Sequence, residues 1–195
     1  MEKLHIWAQP WWVNLLVLIP LTTYFAFRRN RPLLSWRRLA VLAIFATAFG
    51  FAEASVVVYL RAAMGLLPGY TGTLSELQHS PQGYRQEQSI SQFPQSLLTI
   101  ETYREAATMI MLISVAMLAG PATRARWAAF LWAFALWDIA YYAGLWATVR
   151  WPASLIDLDV LFLIPVPWLA QVWFPLLVSG LTVLAIALSS RASSV

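Results

Sequence analysis

Glu101-Thr-Tyr-Arg104-Glu105 puts three ionisable side chains into one short stretch that runs directly into the apolar segment Ala106–Ala119. On a helix Glu101 and Glu105 are four apart and share a face, with Arg104 three from Glu101 on the same side. Each such group costs roughly 2.5–3.5 kcal/mol near a bilayer centre, so they must face protein, water or one another. Two other apolar segments each carry a lone acid, Glu53 and Asp138. At a rise of ~1.5 Å per residue, Glu53, Glu105 and Asp138 all come out about 12–16 Å below one end of their helices. Arg61, Glu101 and Arg104 fall level with or above that layer, and Tyr141 and Tyr142 lie one turn from Asp138.

The chemistry open to such a layer follows from its charges. Glu53, Glu101, Glu105 and Asp138 are four acids against two arginines, Arg61 and Arg104. Two negative charges left unpaired in low dielectric are untenable. Either acids are protonated, or a cation sits among them, or the cluster opens to water. Arg104 is placed to pair with Glu101 and Arg61 to reach the same level. Glu53 and Asp138 are then expected further from either arginine, as the acids left over for chemistry. Intramembrane ionisable groups mark proton, ion or substrate paths, although a polar network that only fixes helix register has the same sequence signature. Glu53, Glu105 and Asp138 are weak candidates for a carboxylate metal site. Helical di-iron sites use Glu-x-x-His pairs, and Glu101-x-x-Arg104 has arginine where the histidine would stand. Asp159, in a short apolar stretch near the end of the chain, joins the candidate polar residues.

The elements that must position these residues are helices in a membrane. The 195-residue chain is 60% hydrophobic and only 11% charged, with 11 Trp; soluble domains carry about 25% charged residues. The absence of Cys excludes disulfides and thiolate sites. The two histidines, His5 and His79, lie outside the apolar segments, which leaves no bis-histidine haem site among the spans. The net charge of +4 reflects arginines beside the apolar runs and calls for no nucleic-acid partner.

The expected architecture is an all-α, polytopic transmembrane bundle of five spans, about 10–27, 39–62, 97–119, 127–149 and 168–188, forming one domain over 1–195. Ala46, Gly50 and Ala54 form a stripe of small residues that lets a neighbouring helix approach closely. An extramembrane loop occupies 63–96. Ala153–Pro167 is too short to cross, and is expected as an interfacial or shallow re-entrant segment at the outer surface. Arg28, Arg29, Arg31, Arg37, Arg38, Arg124, Arg126 and Arg191 on one side outnumber Lys3, Arg61, Arg85, Arg104 and Arg150 on the other. That bias favours an N-terminus outside and a cytoplasmic C-terminus. The first apolar run lacks a basic n-region and a cleavage pattern, and reads as an uncleaved helix.

Phe51-Ala-Glu-Ala-Ser-Val-Val-Val-Tyr-Leu-Arg61, Glu101-Thr-Tyr-Arg-Glu-Ala-Ala-Thr108, Trp137-Asp-Ile-Ala-Tyr-Tyr142 and Asp159-Val-Leu-Phe-Leu-Ile-Pro-Val-Pro-Trp168 resemble stretches in an uncharacterised bacterial multi-pass inner-membrane protein family. The resemblance covers roughly Phe51–Ser179 and implies a bacterial inner membrane, without an activity or a cofactor. Three functions stay open: a protein that binds or passes an ion, proton or small ligand; a non-catalytic subunit or assembly factor of a larger membrane complex; and an intramembrane enzyme using a carboxylate pair on a lipid or quinone. No H-E-x-x-H or G-x-S-x-G motif is present. Membrane lipids are the expected partners, with a homo-oligomer or larger complex left open.

Overall fold

A computed structural model describes residues 7–27, 34–65, 67, 73 and 94–191. Most of loop 63–96, with His79 and Arg85, lies outside the described residues, as do Lys3, His5, Arg28, Arg29 and Arg31. The chain is mostly helical with little sheet. A 3-10 helix over Trp11–Val17 continues into α1 (Leu18–Phe27), followed by α2 (Trp36–Ala63), α3 (Gln95–Ala119), α4 (Thr123–Val149), strands β1 (Leu158–Phe162) and β2 (Trp168–Gln171), and α5 (Trp173–Arg191). Four of the helices, α2 to α5, are long and apolar enough to cross a membrane, which supports a multi-pass membrane protein.

The first helix departs from the expected single run over 10–27. Pro20 has no N–H with which to close an α-type bond to Leu16, and the chain winds as 3-10 until Val17, three residues before it. Asn14 staples this start: its side chain accepts from the Ala8 N–H at 3.0 Å and donates to the Ala8 and Trp11 carbonyls at 2.9 and 2.8 Å.

α4 is the centre of the bundle. It packs most extensively on α2 and also contacts α5 and α3, while α1 leans on α5. The α2–α4 contact is made by the small-residue stripe. A Cβ on Gly50 would stand 2.4 Å from the Trp137 carbonyl oxygen, and one on Gly144 would stand 2.9 Å from Ala54 Cβ. Ala46 and Ala54 are fully buried in the same seam. At one end of the bundle Phe27, Leu39, Ala116, Ala128, Trp132 and Ile186 close a core drawn from all five helices. The Trp132 indole donates to the Leu39 carbonyl at 3.0 Å. α3 joins that core, yet it is the least buried of the long helices, and its other end is held mainly by polar contacts.

Ala153–Pro167, expected as an interfacial or shallow re-entrant segment, contains a strand that the sequence reading did not assign. Its middle third is β1 of an antiparallel hairpin with β2, registered Leu158 to Gln171, Asp159 to Ala170 and Val160 to Leu169, then broken by an irregularity before Phe162 pairs with Trp168. β2 also takes the residues assigned to the start of the last span, so α5 begins at Trp173. The run is rich in branched and aromatic residues that suit a strand, and Pro165 and Pro167 bar a helix through the turn. The hairpin enters the bundle, with Phe162 stacked on Phe134 of α4 at 6.2 Å. The edge groups of a buried hairpin must find partners. Gln9 supplies them to β2 through two backbone bonds with Leu169, at 2.8 and 2.7 Å. Asp157 holds the approach turn, accepting from the Ala153 and Ser154 N–H groups at 2.8 and 3.1 Å.

Candidate functional site

α3 contributes one face at helical spacing: Glu101, Arg104, Glu105 and Thr108. Arg104 grips Glu101 as a fork, with Nε donating to Oε2 at 3.0 Å and Nη2 to Oε1 at 2.7 Å. Its remaining nitrogen, Nη1, is paired with Glu53 Oε2 on α2. Glu53 is buried, and its other oxygen accepts from the Thr108 hydroxyl at 2.7 Å. One guanidinium thus joins two carboxylates on two helices. This overturns the expectation that Glu53 lies far from arginine. Helical depth places Glu53 level with Glu105, but azimuth and side-chain reach decide the pairing, and Arg104 is long enough to span from α3 to α2. Arg61, one turn beyond Val57 on α2, is buried.

Glu105 reaches the hairpin instead. Both of its oxygens accept from the Leu163 N–H, at 3.0 and 2.9 Å. The carboxylate therefore serves the first backbone group beyond β1, at the turn. At the opposite end of β1, Asp159 is almost fully buried and accepts from the Tyr142 hydroxyl at 2.7 Å and from the Val160 N–H at 2.7 Å. Asp138, one turn before Tyr142 on α4, accepts from the Ser179 hydroxyl of α5 at 2.8 Å.

These side chains surround one cavity of about 540 Å³. Glu53, Arg61, Glu101, Arg104, Glu105, Asp138, Tyr141, Tyr142 and Asp159 all line it, so every candidate read from the sequence comes to the same void. The rest of its wall is largely apolar, from Leu16 and Ile19 of the first helical segment, Met109 and Ile110 of α3, and the aromatic rings of Phe134, Trp137, Phe162 and Trp168. α1 packs on α5 and α3 on α4, and the parts of the wall that come from the first helical segment and from Met109 and Ile110 of α3 are aliphatic.

Sequence reasoning missed Thr108, Ser179 and the Leu163 N–H. Thr108 was findable, because it follows Arg104 by one turn on the face already singled out. Ser179 sits in an otherwise apolar helix with no local signal, and a backbone N–H has none at all. The carboxylates do not gather as metal ligands: among the described residues no group of three or more His, Asp or Glu is placed to hold a metal ion. The weak metal candidates Glu53, Glu105 and Asp138 are each drawn to a separate protein donor. No protein-family model, no curated protein and no solved structure matches the chain.

Proposed function

We propose that the chain is a five-span integral protein of the bacterial inner membrane, with its N-terminus outside and its C-terminus cytoplasmic, and that the cavity binds a small ligand or ion. The first helical segment supports the fifth span. Seven residues of 3-10 helix at ~2.0 Å and ten of α-helix at ~1.5 Å give about 29 Å, against a hydrocarbon core of ~30 Å. The arginine bias read from the sequence supports the orientation.

The observation that carries the binding reading is the convergence of five carboxylates and two arginines, from three helices and a hairpin, on one void with apolar walls. A network needed only to fix helix register would pack its polar groups against one another and leave no space between them. Pockets for small molecules have this make-up: mostly apolar lining, with a few convergent polar groups that set orientation. The aliphatic wall from the first helical segment and α3 suits a ligand that arrives through the lipid.

Native mass spectrometry of the chain purified in mild detergent tests this. The wild type should retain a small molecule at a fixed stoichiometry, and Ala106→Trp, which puts an indole on the cavity wall, should lose it while keeping its melting temperature. Equal retention by the two proteins, or none by either, would count against a ligand cavity. The enzyme reading has one observation of its own. Ser179 donates to Asp138 inside the cavity, the relation in which a carboxylate activates an alcohol nucleophile. Recovery of the retained molecule in chemically altered form would favour it.

A further inference from the structure

We infer that the occupant of this cavity is an amphipathic organic cation, an inference that rests on the cavity being a ligand site. Two features of the wall point to that class, and a third marks a wall left incomplete. First, the Arg104 guanidinium is already engaged. It uses Nε, Nη1 and Nη2 on Glu101 and Glu53. An anionic ligand finds no guanidinium left for it in Arg104. Glu105 and Asp138, by contrast, hold neutral donors, a backbone N–H and a serine hydroxyl. Each carboxylate keeps lone pairs that face the needs of a cation.

Second, the rings of Phe162, Phe134, Trp137 and Tyr141 form a continuous aromatic wall. Phe134 lies 6.2 Å from Phe162 and 5.6 Å from Trp137, and Trp137 lies 6.2 Å from Tyr141. All four line the cavity. Aromatic faces carry negative potential and attract cations, most strongly where water is excluded. Third, the indole N–H of Trp137, a residue nine-tenths buried, has no acceptor among the described residues. A buried donor left in that condition is costly, and an occupant that carries an acceptor atom beside its positive charge would complete it. The volume of about 540 Å³ lies within the range of drug-sized ligands, roughly 300–1,000 Å³, too large for a bare metal ion or a proton alone. A cation with an apolar body matches both the volume and the aliphatic wall from the first helical segment and α3.

Equilibrium dialysis of the full-length protein in detergent against tetraphenylphosphonium, with tetraphenylborate as a probe of equal shape and opposite charge, tests the inference, with empty micelles as the blank. The phosphonium should bind saturably and the borate should not. Glu105→Gln and Asp138→Asn should each weaken phosphonium binding by about tenfold, the effect of losing one favourable charge in a desolvated site. Circular dichroism should show both variants folded. Phe134→Leu should weaken binding as well, which a purely electrostatic site would not require. Equal or tighter binding of the borate, or no saturable phosphonium binding, overturns the cation. Such a result leaves the cavity reading to the retained-molecule experiment, which does not depend on the sign of the ligand's charge.

Discussion

Replacing Arg104 by methionine keeps a long, unbranched side chain and removes three donors at once. Glu101 then loses both bonds of the fork, at 3.0 and 2.7 Å, and Glu53 loses its ion pair and keeps only the Thr108 hydroxyl at 2.7 Å. The two losses are unequal. The Glu53 side chain is 8% exposed and that of Glu101 17%, while Arg104 itself is 27% exposed. Removing one partner of a buried pair costs about 3–5 kcal/mol, because the other charge stays buried without its counter-ion. Partial access of water to the Arg104–Glu101 fork lowers that contribution. The expected loss is therefore near the lower bound, about 3 kcal/mol. Almost all of it is assigned to Glu53. The double variant Arg104→Met/Glu53→Gln should then regain about 1–2 kcal/mol, since glutamine keeps an acceptor for Thr108 and carries no charge. Unfolding in mixed micelles, followed by circular dichroism, measures both quantities. A single variant that loses under about 1 kcal/mol, or a double variant no more stable than the single, would refute the assignment of the cost to an orphaned Glu53.

Two further outcomes follow from the packing. Gly50→Ala should cost about 1–3 kcal/mol, because its new Cβ meets a backbone oxygen at 2.4 Å and forces α2 away from α4. Gly180→Ala, with nothing within 4 Å of the added methyl, should be neutral or stabilise by up to about 1 kcal/mol through helix propensity; thermal unfolding of the pair compares them, and similar losses would contradict the packed seam. Tyr142→Phe removes the hydroxyl that Asp159 accepts at 2.7 Å and should cost about 1–3 kcal/mol. Hydrogen exchange should rise in residues 158–171 before it rises in α2 or α4, and unchanged protection there would show that the hairpin is held by other contacts.

Much of this protein is legible along the chain because it is set by local periodicity. Apolar runs longer than the membrane is thick make α2, α3 and α4 readable to within a few residues, and the 46-50-54 stripe announces a close helix contact. The acids and arginines could be placed at one level because depth along a helix is a count of residues. Level is not direction, however. Which acid Arg104 would hold depended on the rotation of α2 about its axis and on the distance across to α3, neither of which a single strand of sequence contains. The hairpin was hidden for a related reason. Residues 153–167 read as an apolar stretch too short to cross and 168–171 as the start of the last span, while the hairpin they form draws on Gln9 and Glu105, far away in the chain. Without those partners the edge N–H and C=O groups could not be buried, so only the assembled bundle makes a hairpin admissible there. The cavity belongs wholly to the tertiary level. Its lining residues were already named by their chemistry, but the space between them exists because the hairpin and the polar end of α3 enclose a volume that helix-on-helix packing leaves unfilled.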